Sequence, residues 1–188
     1  MNYIAKSALL TVLICAGNVA AAEDGRITFE GTISDATCTI TGGDATGTST
    51  TPDFTVHLPP ISITALAADG ERAGDTPFFI KLSGANCANG KVASVFFELA
   101  QSTNIDNATG NLKNTVAADS GGANKVQVGL LDANKAILNL TTANESAITK
   151  TVSGNTAQFD YWAQYVATGG AATAGEVSTE VVYSIKYQ

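Results

Sequence analysis

The side chains of this chain allow little catalytic chemistry. There is one histidine, His57, in the run Phe-Thr-Val-His-Leu (54–58), where it falls on the polar side of an alternating strand. A general base has to sit beside the group whose proton it takes, and no partner for His57 is evident. Asp160 and Glu98 are isolated carboxylates in strand-like runs, read as facing outward rather than as an acid/base pair. No cluster of Cys or His has metal-ligand spacing, and no glycine-rich loop opens a helix to cradle a phosphate. The residue types point away from an enzyme and imply no cofactor and no metal. Matches to N-x-S/T at Asn107, Asn139 and Asn144 are short patterns that arise by chance. What remains is sulfur chemistry, carried by Cys15, Cys38 and Cys87.

The N-terminus sets the compartment for that chemistry. Residues 1–22 read as a secretory signal peptide: Lys6, an apolar stretch from Ala8 to Ala16, then small residues at Ala20, Ala21 and Ala22. The apolar run falls short of the roughly 20 residues a spanning helix needs. Cleavage after Ala22 leaves Glu23 as the mature N-terminus, and a cut one residue earlier satisfies the small-x-small rule as well. Cys15 departs with the leader. Cys38 and Cys87 remain as an even pair in an exported chain, which implies one disulfide. No second apolar segment of spanning length follows, so no membrane insertion is expected. The full chain carries 17 acidic and 10 basic residues, and losing Lys6 makes the balance more negative. Nucleic acid and anionic membrane are therefore poor partners.

The elements that must position the cysteines are strands. Short runs alternate apolar and polar residues: Ile27 to Ile33, Phe78 to Leu82, Val92 to Leu99, Val126 to Leu130, Ala136 to Leu140, Phe159 to Val166 and Val177 to Tyr187. Turn-rich stretches separate them. Gly42 to Thr51 has almost no apolar mass and reads as a mobile surface loop. Pro59-Pro60 cannot donate to a ladder, so they mark a crossing between sheets. One domain spanning residues 23–188, an antiparallel β-sandwich of immunoglobulin type, follows from the strand spacing and the single cystine. In the aromatic run, Phe159, Tyr161 and Tyr165 share one face and read as core, while Trp162 lies on the other, as a contact between subunits or as surface packing.

The two ends stand out. The C-terminal run Val177, Thr179, Val181, Tyr183, Ile185 and Tyr187 is long for a strand of a small domain, and its apolar face has neither charge nor proline to discourage the addition of another chain. At the N-terminus Gly25, Ile27, Phe29 and Gly31 share one face. That segment is suited either to an ordinary first strand or to a neighbour's groove, with backbone bonds giving affinity and alternate side chains filling pockets.

These features together resemble the major pilins of type 1 fimbriae, assembled by the chaperone-usher route. The resemblance rests on G-x-I-x-F-x-G before Cys38, on Cys87 after a strand that begins near Phe78, and on A-Q-Y-V-A-T-G (163–169). Gly175 fourteenth from the end, alternating apolar residues and the penultimate Tyr187 complete it. It implies an incomplete immunoglobulin-like sandwich of six strands, completed by a donor strand from another molecule. Gly25, Ile27, Phe29 and Gly31 match the donor residues, in an extension of about residues 23–31. Gly175, Val177, Thr179, Val181, Tyr183, Ile185 and Tyr187 match the chaperone-recognition strand that borders the groove. The implied partners are identical or related pilin subunits, a periplasmic chaperone and an outer-membrane usher, and the implied destination is an extracellular fimbrium reached through the periplasm. The extension before Gly25 is short, with only Glu23 and Asp24 if cleavage follows Ala22. A minor adaptor subunit and a monomeric sugar-binding sandwich are the competing readings.

Overall fold

The computed structural model describes residues 38–188; the expected leader and the donor residues Gly25, Ile27, Phe29 and Gly31 lie outside the described residues. Alternation becomes ten β segments: β1 (Thr39–Asp44), β2 (Gly47–Thr48), β3 (Arg72–Ser83), β4 (Val92–Phe97), β5 (Leu112–Lys113), β6 (Val126–Asp132), β7 (Ile137–Leu138), β8 (Thr149–Thr151), β9 (Thr156–Ala167) and β10 (Tyr183–Tyr187). Six of them, β1, β3, β4, β6, β9 and β10, have five residues or more. The others are two- or three-residue edge pieces.

All ladders are antiparallel. One sheet runs β2-β1-β3-β9-β6-β5, with β7 also on β6, and the other runs β10-β4-β8. Phe78, Ile80 and Leu82 of β3, Phe159 and Tyr161 of β9 and Leu130 of β6 meet Ala93, Val95 and Phe97 of β4 in one core. Phe159 and Leu82 are fully buried. The Tyr161 ring stacks on Phe78 at 5.4 Å and stands edge-on to Phe97 at 5.8 Å, geometries aromatic quadrupoles favour. Cys38 and Cys87 are bridged across 49 positions of sequence, tying the start of β1 to the turn after β3.

Several expectations are corrected. Gly42 to Thr51 is not a loop throughout: Gly42, Gly43 and Asp44 are buried in β1, which turns back as the hairpin β1-β2. Composition misleads here because the missing side chains are replaced by a neighbour's. A Cβ on Gly42 would collide with the Phe54 ring. Ala136 to Leu140 shortens to β7. Val177 to Tyr187 is laddered only over β10. As expected of residues that cannot donate to a ladder, Pro59 and Pro60 lie in an extended stretch outside any ladder. Tyr165 leaves the main core for a second cluster with Leu66, Val126 and Ala167. Half-buried Trp162 is covered by Lys135, whose Nζ lies 4.2 Å from the ring centroid.

Candidate functional site

Two extended segments that join no ladder, Phe54–Leu58 and Val177–Val182, pack on the same core as β3, β4 and β9. In the first, Phe54, Val56 and Leu58 turn inward and are half-buried, while Thr55 and His57 are exposed. In the second and its continuation β10, Val177, Thr179, Val181, Tyr183, Ile185 and Tyr187 form one half-buried stripe. The segments meet where the Phe54 and Tyr183 rings stand edge-on at 6.3 Å and the Tyr183 hydroxyl donates to the Pro52 carbonyl at 2.7 Å. Burial, then the charge of Asp53, pushes the Tyr183 phenol up, so it remains protonated and a donor at neutral pH.

Hydrogen-bond parity shows which edge of the C-terminal segment is occupied. Glu176 donates to the Gly121 carbonyl and accepts from the Ala123 amide, both at 2.9 Å. The Ser178 amide donates to Asn114 Oδ1 at 3.0 Å, and its carbonyl accepts from the Thr115 amide at 2.8 Å. Val182 accepts from the Glu98 amide and donates to Ser102 Oγ, each at 2.9 Å. Gln188 exchanges both backbone bonds with Val92. Glu176, Ser178, Val182 and Gln188 thus all bond on one side. Successive peptide groups of an extended chain point to opposite sides, so the odd residues aim their N–H and C=O at the other edge. Among the described residues, those of Val177, Thr179 and Val181 have no partner. The same residues that turn their side chains to the core present free backbone to whatever lies beside them.

The opposite wall has a single strong tie. Asp44 at the end of β1 is buried, and its carboxylate accepts from the His57 amide at 2.6 Å, the Thr46 amide at 2.8 Å and the Thr46 hydroxyl at 2.6 Å, with His57 Nδ1 at 3.1 Å. Burial by itself would raise its pKa. The Thr46 hydroxyl, the two amides and the His57 ring outweigh that and hold the carboxyl well below the usual carboxylate range. His57 therefore turns its amide toward β1, so by the same parity Phe54, Val56 and Leu58 turn theirs the other way; no backbone bond joins them to another described segment.

Gly175 begins the C-terminal wall at φ +154°, and a Cβ there would collide with the backbone of Gly122 and Ala123. That crowding is sufficient reason for glycine. Sequence reading found the C-terminal stripe but missed the facing wall and Asp44. The signal was present in Phe54, Val56 and Leu58, whose alternation was used only to place His57. Among the described residues no group of His, Cys, Asp and Glu is arranged to hold a metal ion. Glu98 accepts from the Ser184 hydroxyl and Asp160 from the Gln158 amide, both structural bonds. The site's chemistry is that of an open sheet edge over an apolar floor, suited to taking up a strand.

Comparison with known proteins agrees with that architecture. The family model for Type-1 fimbrial protein, A (FimA) matches residues 58–188. The chain is 39% identical to an F17 fimbrial protein of Escherichia coli, over 96% of this chain and 97% of that one. It is 38% identical to the major fimbrial subunit SMF-1 of Stenotrophomonas maltophilia, over 94% and 99%. Its fold is similar to a chain of a solved chaperone-usher pilus, at 18% identity and TM-score 0.54 over 92% of this chain and 100% of that one. The P pilus rod subunit PapA is similar at 15% identity and TM-score 0.50, over 72% and 93%. The chain belongs to the type-1 fimbrial protein family and is a structural subunit of a fimbria.

Proposed function

We propose that this subunit polymerises by strand insertion: the Gly25–Gly31 segment of one copy fills the cleft between Phe54–Leu58 and Val177–Tyr187 of the next. The observation that carries this is the pair of walls whose inward side chains share one core and whose backbone groups at Phe54, Val56, Leu58, Val177, Thr179 and Val181 are unpaired among the described residues. An inserted strand bonds to those groups and covers the half-buried stripes, at about 25 cal/mol per Å² of apolar surface removed from water. Donor and acceptor lie on different parts of one chain, so the contact is heterologous and propagates into a fibre. Having both, the chain is suited to a shaft position. A strand held this way leaves only through local unfolding, so the fibre's persistence is kinetic.

Export follows from residues 1–22 acting as a cleaved leader. Before insertion the open cleft needs a temporary occupant, which fits a periplasmic chaperone that hands the subunit to an outer-membrane usher. The fimbrium lies outside the cell, and the subunit's part in adhesion is structural rather than catalytic.

The test compares the mature chain with one lacking residues 23–31, adding a synthetic peptide of residues 23–35 to the latter. The shortened chain should be marginally stable and strongly stabilised by the peptide, while the intact chain polymerises slowly. A shortened chain that is already stable, with a melting temperature indifferent to the peptide, would overturn the reading.

A further inference from the structure

We infer that Thr179 sets the register of the inserted strand, an inference that rests on the strand-insertion reading above. Thr179 is the one polar residue in the stripe from Val177 to Tyr187 before the tyrosines. Among the described residues, its Oγ1 is the only buried side-chain oxygen or nitrogen without a hydrogen-bond partner. A buried hydroxyl left unpaired is unfavourable, and native structures rarely keep one without a reason. This hydroxyl sits on the face that the incoming strand covers, so its partner is supplied by that strand.

An apolar stripe alone does not fix register, because a slip of two residues replaces one apolar side chain with another. A single buried polar group breaks that degeneracy. The incoming segment of a second copy presents Gly25, Ile27, Phe29, Gly31 and Ile33 on one face. With antiparallel pairing, the more stable arrangement per residue, two registers keep all five against Val177–Tyr187. One sets Gly31 opposite Thr179, with Phe29 on Val181, Ile27 on Tyr183 and Gly25 on Ile185. The other sets Ile33 opposite Thr179 and Gly31 on Val181. Glycine leaves the backbone of the incoming strand bare, so the Thr179 hydroxyl reaches a peptide group. Ile33 would seal the hydroxyl under branched hydrocarbon. The first register is selected by Thr179.

The outward residues report which register forms. In the Gly31 register Thr32 lies beside Ser178, and in the slipped register it lies beside Glu180, close enough in each case for a disulfide between substituted cysteines. Polymers of the full mature chain carrying Thr32→Cys with Ser178→Cys should cross-link between copies on mild oxidation, and those carrying Thr32→Cys with Glu180→Cys should not. Adding Thr179→Val should bring up the second cross-link and speed subunit loss in denaturant about tenfold, a factor equivalent to about 1.4 kcal/mol. Thr179→Ser should restore the original pattern. Cross-linking only through position 180, cross-linking at neither position because the strand runs parallel, or no change with Thr179→Val would each overturn the inference. Failure of the unsubstituted chain to polymerise would instead overturn the strand-insertion reading on which it rests.

Discussion

The ladder of β3, β9 and β6 and the two cleft walls are built from the same residue types, apolar and polar in alternation, and they bury the same kind of side chain. They differ in where the backbone bonds go. Strand β9 is flanked on both sides, pairing with β3 from Thr156 to Val166 and with β6 from Tyr161 to Ala167, and its inward side chains reach full burial at Phe159. Among the described residues the C-terminal wall bonds along one edge only, and its inward side chains stop at half burial. Burial of a strand's face thus follows the closure of its edges, because a neighbouring strand brings both the hydrogen bonds and the side chains that cover the gap.

That contrast can be broken or sharpened by substitution. The largest effect is expected at the centre: Phe159→Ala leaves a cavity in a closed core and should destabilise the subunit by about 3 to 5 kcal/mol in denaturant unfolding. It should do so equally before and after strand insertion. Replacing Cys38 and Cys87 together by serine removes the constraint of a loop of about 50 residues, with an expected loss of up to about 4 kcal/mol in the chain-entropy model, read from the same unfolding curves. Asp44→Ala strands the His57 and Thr46 amides and should cost about 2 kcal/mol. Because the folded state depresses the Asp44 pKa, its contribution is fully present above the ordinary aspartate value of about 3.9 and is lost as pH falls through the lower folded value. Asp44→Asn should therefore flatten the acid limb of the stability profile, and an unchanged limb would show that the carboxylate holds the wall less tightly than its bonds imply.

The smallest effect is expected in the wall itself. Val181→Ala should destabilise the uninserted subunit by about 1 kcal/mol, less than a core truncation, since the side chain is only partly buried there. Once the strand is inserted the same substitution should approach the cost of a core truncation. Hydrogen exchange would show the same division, with slow amides along β9 and fast ones at Val177, Thr179 and Val181 until insertion protects them. Equal protection before and after would erase the difference between the two regions.

The core strands were legible in sequence because their alternation is their own: Phe78, Ile80 and Leu82 in β3 and Ala93, Val95 and Phe97 in β4 reveal their inward faces without reference to a neighbour. The C-terminal stripe was legible on the same ground. β1 was not, since Gly42 and Gly43 carry no apolar mass, and their burial comes from Phe54 lying over them. Gly175 was found by its distance from the end, but the crowding against Gly122 and Ala123 that requires glycine there is a contact between segments about 50 positions apart. Asp44 was invisible because a short acidic residue between two glycines and Ala45 gives no local sign of a buried carboxylate.

The sequence by itself determined the class of the protein and the faces of its strands. Periodicity depends on neighbours in the chain, two cysteines left in an exported chain have only each other to pair with, and a side chain's direction in an extended strand is set by its parity. Tertiary structure alone decided which edges close. Whether an N–H finds a partner depends on segments brought together from distant positions, as Thr115 meets Ser178 and Asp44 meets His57. The proposed cleft is defined by that closure and by where it stops.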